Sequence, residues 1–177
     1  SRVYDRDGNV LGIFGSKNRI YTPIEDIPDL VKNSFISAED KNFYDHPGYD
    51  AIGVLKALID AFRGKKLRGA STITQQIMKN FLLSGERTVK RKIKEIILAS
   101  RIERVLSKNK ILNVYLNEVY LGQGAYGVTA ASIIYFGKKL NDLNIGEAAF
   151  LAALPKAPSF YHPIRRKQRS IERRDFV

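Results

Sequence analysis

At 177 residues, with 44% hydrophobic and 27% charged side chains, the chain has the size and balance of one globular domain, which excludes a disordered or collagen-like polymer. It has no cysteine, so no disulfide framework exists, and its two histidines, His46 and His162, show no zinc-ligand spacing. The net charge is +12, which points to a phosphate-bearing or otherwise anionic partner.

The elements are expected in this order. Val3-Tyr4 and Val10-Leu11 flank Asp7-Gly8, a hairpin signal, so the first 24 residues read as a short extended arm. Between Gly48 and Leu154 there is no proline, and apolar residues recur at helical spacing, which predicts a mainly α-helical body over 25–165. Helices are predicted at 29–43, 51–63, 72–82, 86–106, 108–121, 126–136 and 145–154. Pro47-Gly48 is read as the terminator of the first. In the helix at 86–106, Val89, Ile93, Ile96-Ile97 and Ile102 are read as the apolar side. Ser107 is placed to cap the next helix, and Asn144 with Glu147 three residues on resembles a capping box. No apolar run approaches the ~20 residues that span a bilayer. The longest, Ala148 to Leu154, reads as a short buried segment, and no signal peptide is visible. The chain opens at Ser1 and stops at Phe176-Val177 after a charged stretch, so it reads as a piece excised from a longer protein.

The charge is concentrated. Residues 1–62 hold seven basic and ten acidic side chains, residues 63–110 hold fourteen and three, and residues 111–177 hold nine and five. Nearly the whole excess is therefore central, as it would be for a phosphate, diphosphate or anionic-lipid ligand. A solvated basic helix face is the plain alternative.

Five clusters carry the polar residues. In Glu39-Asp40-Lys41-Asn42-Phe43-Tyr44-Asp45-His46-Pro47-Gly48, Glu39 lies four residues after Phe35 at the edge of an apolar face, where a carboxylate can act as general base or acid. Read alone, it is an ordinary helix-flank acid. Gly69-Ala70-Ser71-Thr72-Ile73-Thr74-Gln75-Gln76 opens a helix with hydroxyls and amides, either as a cap or facing a hydroxyl-rich ligand. In the stretch from Glu86 to Glu95, Arg87, Arg91, Lys94 and Glu95 are neighbours at helical spacing, with Lys79 on the preceding helix. Such a cluster can neutralise a diphosphate. Glu95 among so many cations suits a fixed anion better than a proton donor. From Lys110 to Gly122, Leu112, Tyr115, Leu116 and Val119 read as core, with Gly122, Gly124 and Gly127 as a turn. Gly146-Glu147-Ala148-Ala149, running on to Leu154-Pro155-Lys156-Ala157-Pro158, closes the set.

In this order and spacing the clusters closely resemble the glycosyltransferase family 51 domain, the peptidoglycan glycosyltransferase of class A penicillin-binding proteins and monofunctional transglycosylases. Glu39-Asp40-x-x-Phe43-x-x-His46-x-Gly48 matches the family's first motif, Gly69-x-Ser71-Thr72-Ile73-Thr74-Gln75-Gln76 the second and Arg91-Lys92-x-x-Glu95 the third. The match runs from Glu39 to Pro158 without a departure in any of the five.

The resemblance implies one lysozyme-like, two-lobed helical domain over 1–177, with a head and a membrane-facing jaw lobe at about 49–85. It implies an inverting hexosyltransferase that polymerises lipid II onto the growing glycan strand, and inhibition by moenomycin. It implies Glu39 as the base, and Glu95 as a second carboxylate orienting nearby cations or a divalent metal, Mg or Mn, although no cofactor is required. Asp40, Ser71, Gln75, Gln76, Lys79, Arg87, Arg91 and Lys94 are then substrate-binding residues, with Lys79, Arg87 and Lys94 on the diphosphate. The apolar run Ile52 to Phe62, followed by Arg63, Lys65, Lys66 and Arg68, fits a surface that dips into an anionic bilayer. The implied location is the outer, periplasmic face of the bacterial cytoplasmic membrane, held by an upstream transmembrane helix. A glycan hydrolase of the same fold has no use for the basic cluster. A nucleic-acid module has no use for Glu39-Asp40, so no nucleic-acid partner is expected.

Overall fold

A computed structural model of the chain describes residues 2–4, 10–13, 18–51, 71–82, 88–156 and 167–177. Strands β1 (Arg2–Tyr4) and β2 (Val10–Ile13) pair antiparallel, as expected, with Arg2 opposite Ile13 and Val3 opposite Gly12 before the register shifts. Strand β3 (Asn18–Arg19) runs parallel to β4 (Ala125–Tyr126). Among the described residues the further helices are α1 (Asp29–Glu39), α2 (Ile73–Leu82), α3 (Val89–Ile102), α4 (Lys108–Glu118), α5 (Val128–Phe136), α6 (Ile145–Ala153) and α7 (Lys167–Phe176).

Three helix starts among the described residues have a local side-chain cap. Thr88 accepts from the Arg91 amide at the head of α3, and Ser107 accepts from the Lys110 amide at the head of α4. Asn144 and Glu147 form a full capping box at the head of α6. α1 packs on α6 and α6 on α7, while α2 lies against α3 and α4. The core between them holds Val31, Phe35, Leu112, Tyr115, Leu116, Leu151 and Leu154. Phe35 is fully buried and meets the Tyr115 ring edge-on at 6.3 Å. Burying such a ring contributes about 1.5–3 kcal/mol. Asn117, buried on α4, accepts from the Thr22 amide and donates to the Thr22 carbonyl, both at 2.8 Å, which fastens the segment before α1 to α4. Gly127 has a φ of +83°, and a Cβ there would sit 2.5 Å from the Asn117 carbonyl oxygen.

Several boundaries differ from those expected. The first helix ends at Glu39 rather than at 43, because Asp40 leaves the helical region (φ −160°, ψ 73°) and its side chain turns inward. Pro47-Gly48 therefore does not stop that helix. Gly48, at φ +94°, lies where a Cβ would be 2.6 Å from the Ala99 carbonyl oxygen, so the turn after α1 presses directly on the backbone of α3. α4 ends at Glu118 and α5 begins at Val128, because Ala125-Tyr126 is taken up by β4 and the glycines at 122, 124 and 127 turn with positive φ. α3 runs over 89–102, and its predicted apolar side is turned inward only in part, with Ile102 packed against the core. Ile93 and Ile97 are 53% and 45% exposed, whereas Glu95 and Ala99 are buried. Lys92, an intrahelical partner of Glu95, ties this side of the helix to Ser71 and Gln75. α7 was not expected. Of the predicted helix at 51–63 only Ala51 lies within the described residues, as does only part of the jaw at 49–85.

Candidate active site

Glu39 stands at the last turn of α1, half-buried. Gln76, in the first turns of α2, donates from Nε2 to Glu39 Oε2 at 2.9 Å. The other end of that amide, Gln76 Oε1, lies 3.5 Å from the Tyr115 hydroxyl on α4. Burial, and then the carboxylates of Glu39 and Asp40, push the Tyr115 hydroxyl well above its ordinary value. Tyr115 therefore stays protonated and donates. The sense of the Gln76 amide is fixed from both sides, with NH₂ toward Glu39 and oxygen toward Tyr115.

Asp40 faces the other way. It is buried, and the proton on His46 Nε2 is shared between its two oxygens at 2.9 and 3.0 Å. The tautomer follows from the opposite ring nitrogen, since His46 Nδ1 accepts from the Gly48 amide at 3.2 Å. Asp40 Oδ2 also accepts from the Ile73 amide at 2.9 Å, the first amide of α2. The Thr72 hydroxyl donates to the Gly48 carbonyl at 2.7 Å and accepts from the Gln75 amide at 3.1 Å. Two otherwise orphaned amides of α2 are thus satisfied by Asp40 and Thr72, with a carboxylate at the positive end of the helix.

The second carboxylate is Glu95 on α3, 3% exposed. Lys92 Nζ reaches its Oε2 at 3.1 Å. The same ammonium donates to Ser71 Oγ and to Gln75 Oε1, each at 2.9 Å. Arg91 Nε sits 3.0 Å from Glu95 Oε1 in a charge contact without hydrogen-bond alignment. Gln75 and Gln76 are adjacent on α2, so one helix turn serves both carboxylates: Gln76 holds Glu39 directly, and Gln75 reaches Glu95 through Lys92.

The structure therefore brings Glu39 and Gln76 together, and Ser71, Gln75, Arg91 and Glu95 together. Asp40 binds His46 and the head of α2. Lys79, in the last turn of α2, and Lys94, on the outer side of α3, are exposed. Arg87 lies outside the described residues. Lys92, Tyr115 and His46 were not among the expected site residues. Lys92 was visible as a residue three before Glu95 inside the third motif, but nothing in one sequence says that it also meets Ser71 and Gln75.

Glu95 is held between two cations, which is not a donor set for a divalent metal. Among the described residues there is no group of three or more His, Asp or Glu side chains able to hold one. Among them, too, no helix is long and apolar enough to cross a membrane.

Residues 7–177 match the family model described as Transglycosylase. Penicillin-binding protein 1A of Aquifex aeolicus is 49% identical over 178 residues, covering 100% of this chain and 24% of that protein. Penicillin-binding protein 1A of Neisseria flavescens is 50% identical, over 99% of this chain and 22% of that protein. The chain spans about a quarter of the length of these curated relatives. A crystal structure of penicillin-binding protein 1A from Haemophilus influenzae superposes with a TM-score of 0.53 at 28% identity, covering 98% of this chain and 16% of that one. A helical body with Glu39 and Glu95 served by neighbouring glutamines, under a family pattern that runs through all but the first six residues, places this chain in the transglycosylase family, with its lysozyme-like fold.

Proposed function

We propose that the chain is the peptidoglycan glycosyltransferase unit of a longer protein and that it polymerises lipid II. Glu39 takes the proton from the 4-hydroxyl of the acceptor N-acetylglucosamine. That oxygen attacks C1 of the donor N-acetylmuramic acid, the C1–O bond to the lipid diphosphate breaks, and undecaprenyl diphosphate leaves with the electron pair. The α-linkage becomes β in one displacement. The observation that carries this reading is the Gln76 contact, which holds Glu39 by one oxygen at a helix end and gives it a fixed direction.

The leaving group departs as an anion, so it needs positive charge rather than a second protonated carboxylate, which an inverting hydrolase would use. Lys79, Arg87 and Lys94 supply that charge. Glu95 acts through Arg91 and Lys92, holding them in place as a fixed anion, rather than as a ligand for Mg or Mn. Ser71, Gln75 and Gln76 line the cleft, and moenomycin competes for it. The substrate is a membrane lipid, so the domain works at the outer face of the cytoplasmic membrane, with the apolar-then-basic segment 52–68 meeting the bilayer.

The test is polymerisation of labelled lipid II in detergent by the parent chain and by Glu39→Gln. The variant is expected to lose about 10²–10⁴-fold in rate, the range of a general base. Equal polymer from both would remove Glu39 as the base. A parent that makes no polymer and binds no moenomycin would overturn the reading.

A further inference from the structure

Two charges break the local rules for helix ends. Glu103 is the C-cap of α3, at the negative end of the helix dipole, and Lys108 is the first residue of α4, at the positive end. Each charge opposes the dipole of its own helix, so the reason for each is tertiary. Lys108 Nζ lies 2.6 Å from Glu103 Oε2, with the two side chains 21% and 6% exposed. The same ammonium donates to the His46 carbonyl at 2.6 Å and stands 4.6 Å from the centre of the buried Phe43 ring. Glu103 Oε1 accepts from the Thr74 hydroxyl at 2.5 Å.

The pair therefore has one hand on each side of a joint. Lys108 holds the 43–48 turn, which carries His46 and is continuous with Glu39-Asp40. Glu103 holds Thr74, which directly precedes Gln75 and Gln76. Across the same joint run the Asp40–Ile73 and Thr72–Gly48 bonds. The Glu39–Gln76 contact spans the same joint, so it depends on the separation of these two segments.

We propose that Glu103 and Lys108 are positioning residues for the transfer reaction: the pair clamps the turn after α1 to the first turn of α2 and so sets Gln76 against Glu39. This rests on the transferase reading above. Neither residue touches substrate. The clamp reaches the reaction through His46 and Thr74.

Lys108→Met keeps the aliphatic stem over Phe43 and removes the ammonium. It is expected to lower kcat for lipid II polymerisation by roughly ten- to a hundredfold, the effect of displacing a reacting group by a fraction of an ångström to an ångström, with KM within about twofold. Lys108→Arg should recover most of that loss. Glu103→Gln should match it, and the double variant should be no worse than the poorer single, because the two act as one unit. Amide hydrogen exchange provides a readout that a merely structural role would not give. Exchange at Ile73 and Gln75 should quicken in Lys108→Met while Ala148 and Leu151 of α6 stay protected. If Lys108→Met does not fold, Thr74→Val removes only the hydroxyl that Glu103 holds and should reproduce the kcat loss. Full kcat in folded variants, additive losses, or equally faster exchange at Ile73, Gln75 and α6 would each overturn the clamp. A parent that neither polymerises lipid II nor binds moenomycin would overturn the transferase reading instead, and exchange at Ile73 and Gln75 would still decide the clamp.

Discussion

Gly48 joins backbone conformation to the placement of the candidate site in a single residue. Its φ of +94° is costly for any side chain, and a Cβ would meet the Ala99 carbonyl oxygen at 2.6 Å and the Ala99 carbonyl carbon at 2.7 Å, both backbone atoms that cannot swing away. Gly48→Ala therefore combines a left-handed penalty with overpacking, about 2–5 kcal/mol together. For a domain of this size that lowers Tm by roughly 5–15 °C. The Gly48 amide and carbonyl are the partners of His46 and Thr72, so activity at low temperature should fall as well. An unchanged Tm by calorimetry would mean that the turn can retreat from α3. The sequence shows Gly48 as a chain breaker after Pro47. It does not show that the breaker faces α3, because the partner lies some fifty residues away. Lys92 is legible to the same extent. Its spacing to Glu95 can be read along one helix, but its bonds to Ser71 and Gln75 cross between helices.

Among the elements, helix starts were the most legible feature because a cap is local. Ser107 and the Asn144–Glu147 box were both readable from residues within three of each other. The buried side of α3 was legible only in part, at Ile102. Periodicity weighs apolar residues, and this helix turns Glu95 and Ala99 inward while leaving Ile93 and Ile97 in solvent. The mismatch falls at a polar site, where local pattern is expected to fail. α7 escaped for the opposite reason: Lys167-Gln168-Arg169-Ser170-Ile171-Glu172-Arg173-Arg174-Asp175-Phe176 has almost no apolar stripe to read. The α6 cap yields a pH prediction. Glu147 is held below its ordinary value, first by the Lys138 side-chain bond and then by the Asn144 amide. A carboxyl lowered in the folded state stabilises the fold above its unfolded value near 4.5, and that contribution is lost as pH falls through the lower folded value. Glu147→Gln should therefore lower Tm at pH 7, and the gap between variant and parent should close as the pH is taken below 4. A gap that persists unchanged at pH 3 would assign the effect to the shape of the cap and not to its charge.

For the whole molecule, the fold class was legible because five motifs in fixed order specify it, and no single motif would have done so. What charge does is set by where it sits. Among the described residues, two kinds of cation occupy the central basic stretch. Lys92 and Lys108 are committed to Glu95 and Glu103, carboxylates that are almost fully enclosed. Lys79, Lys90, Lys94, Arg101 and Arg104 are exposed. Salt reaches the second kind more easily than the first, whose carboxylates are 3% and 6% exposed. The screening length falls from about 10 Å at 0.1 M salt to about 3 Å at 1 M, and buried pairs are screened much less. If the exposed cations draw in a diphosphate substrate, raising ionic strength should act on capture and leave the assembled site nearly intact. Over that range kcat/KM for lipid II should fall roughly tenfold or more, the scale of electrostatic steering, while kcat changes less than about twofold. The measurement is initial polymerisation rate against substrate concentration at several NaCl concentrations in a non-ionic detergent. A fall in kcat at constant KM would place the salt-sensitive charges inside the catalytic network and would count against the exposed cations as the capture surface. A flat kcat/KM would show that the central positive charge does not steer this substrate at all.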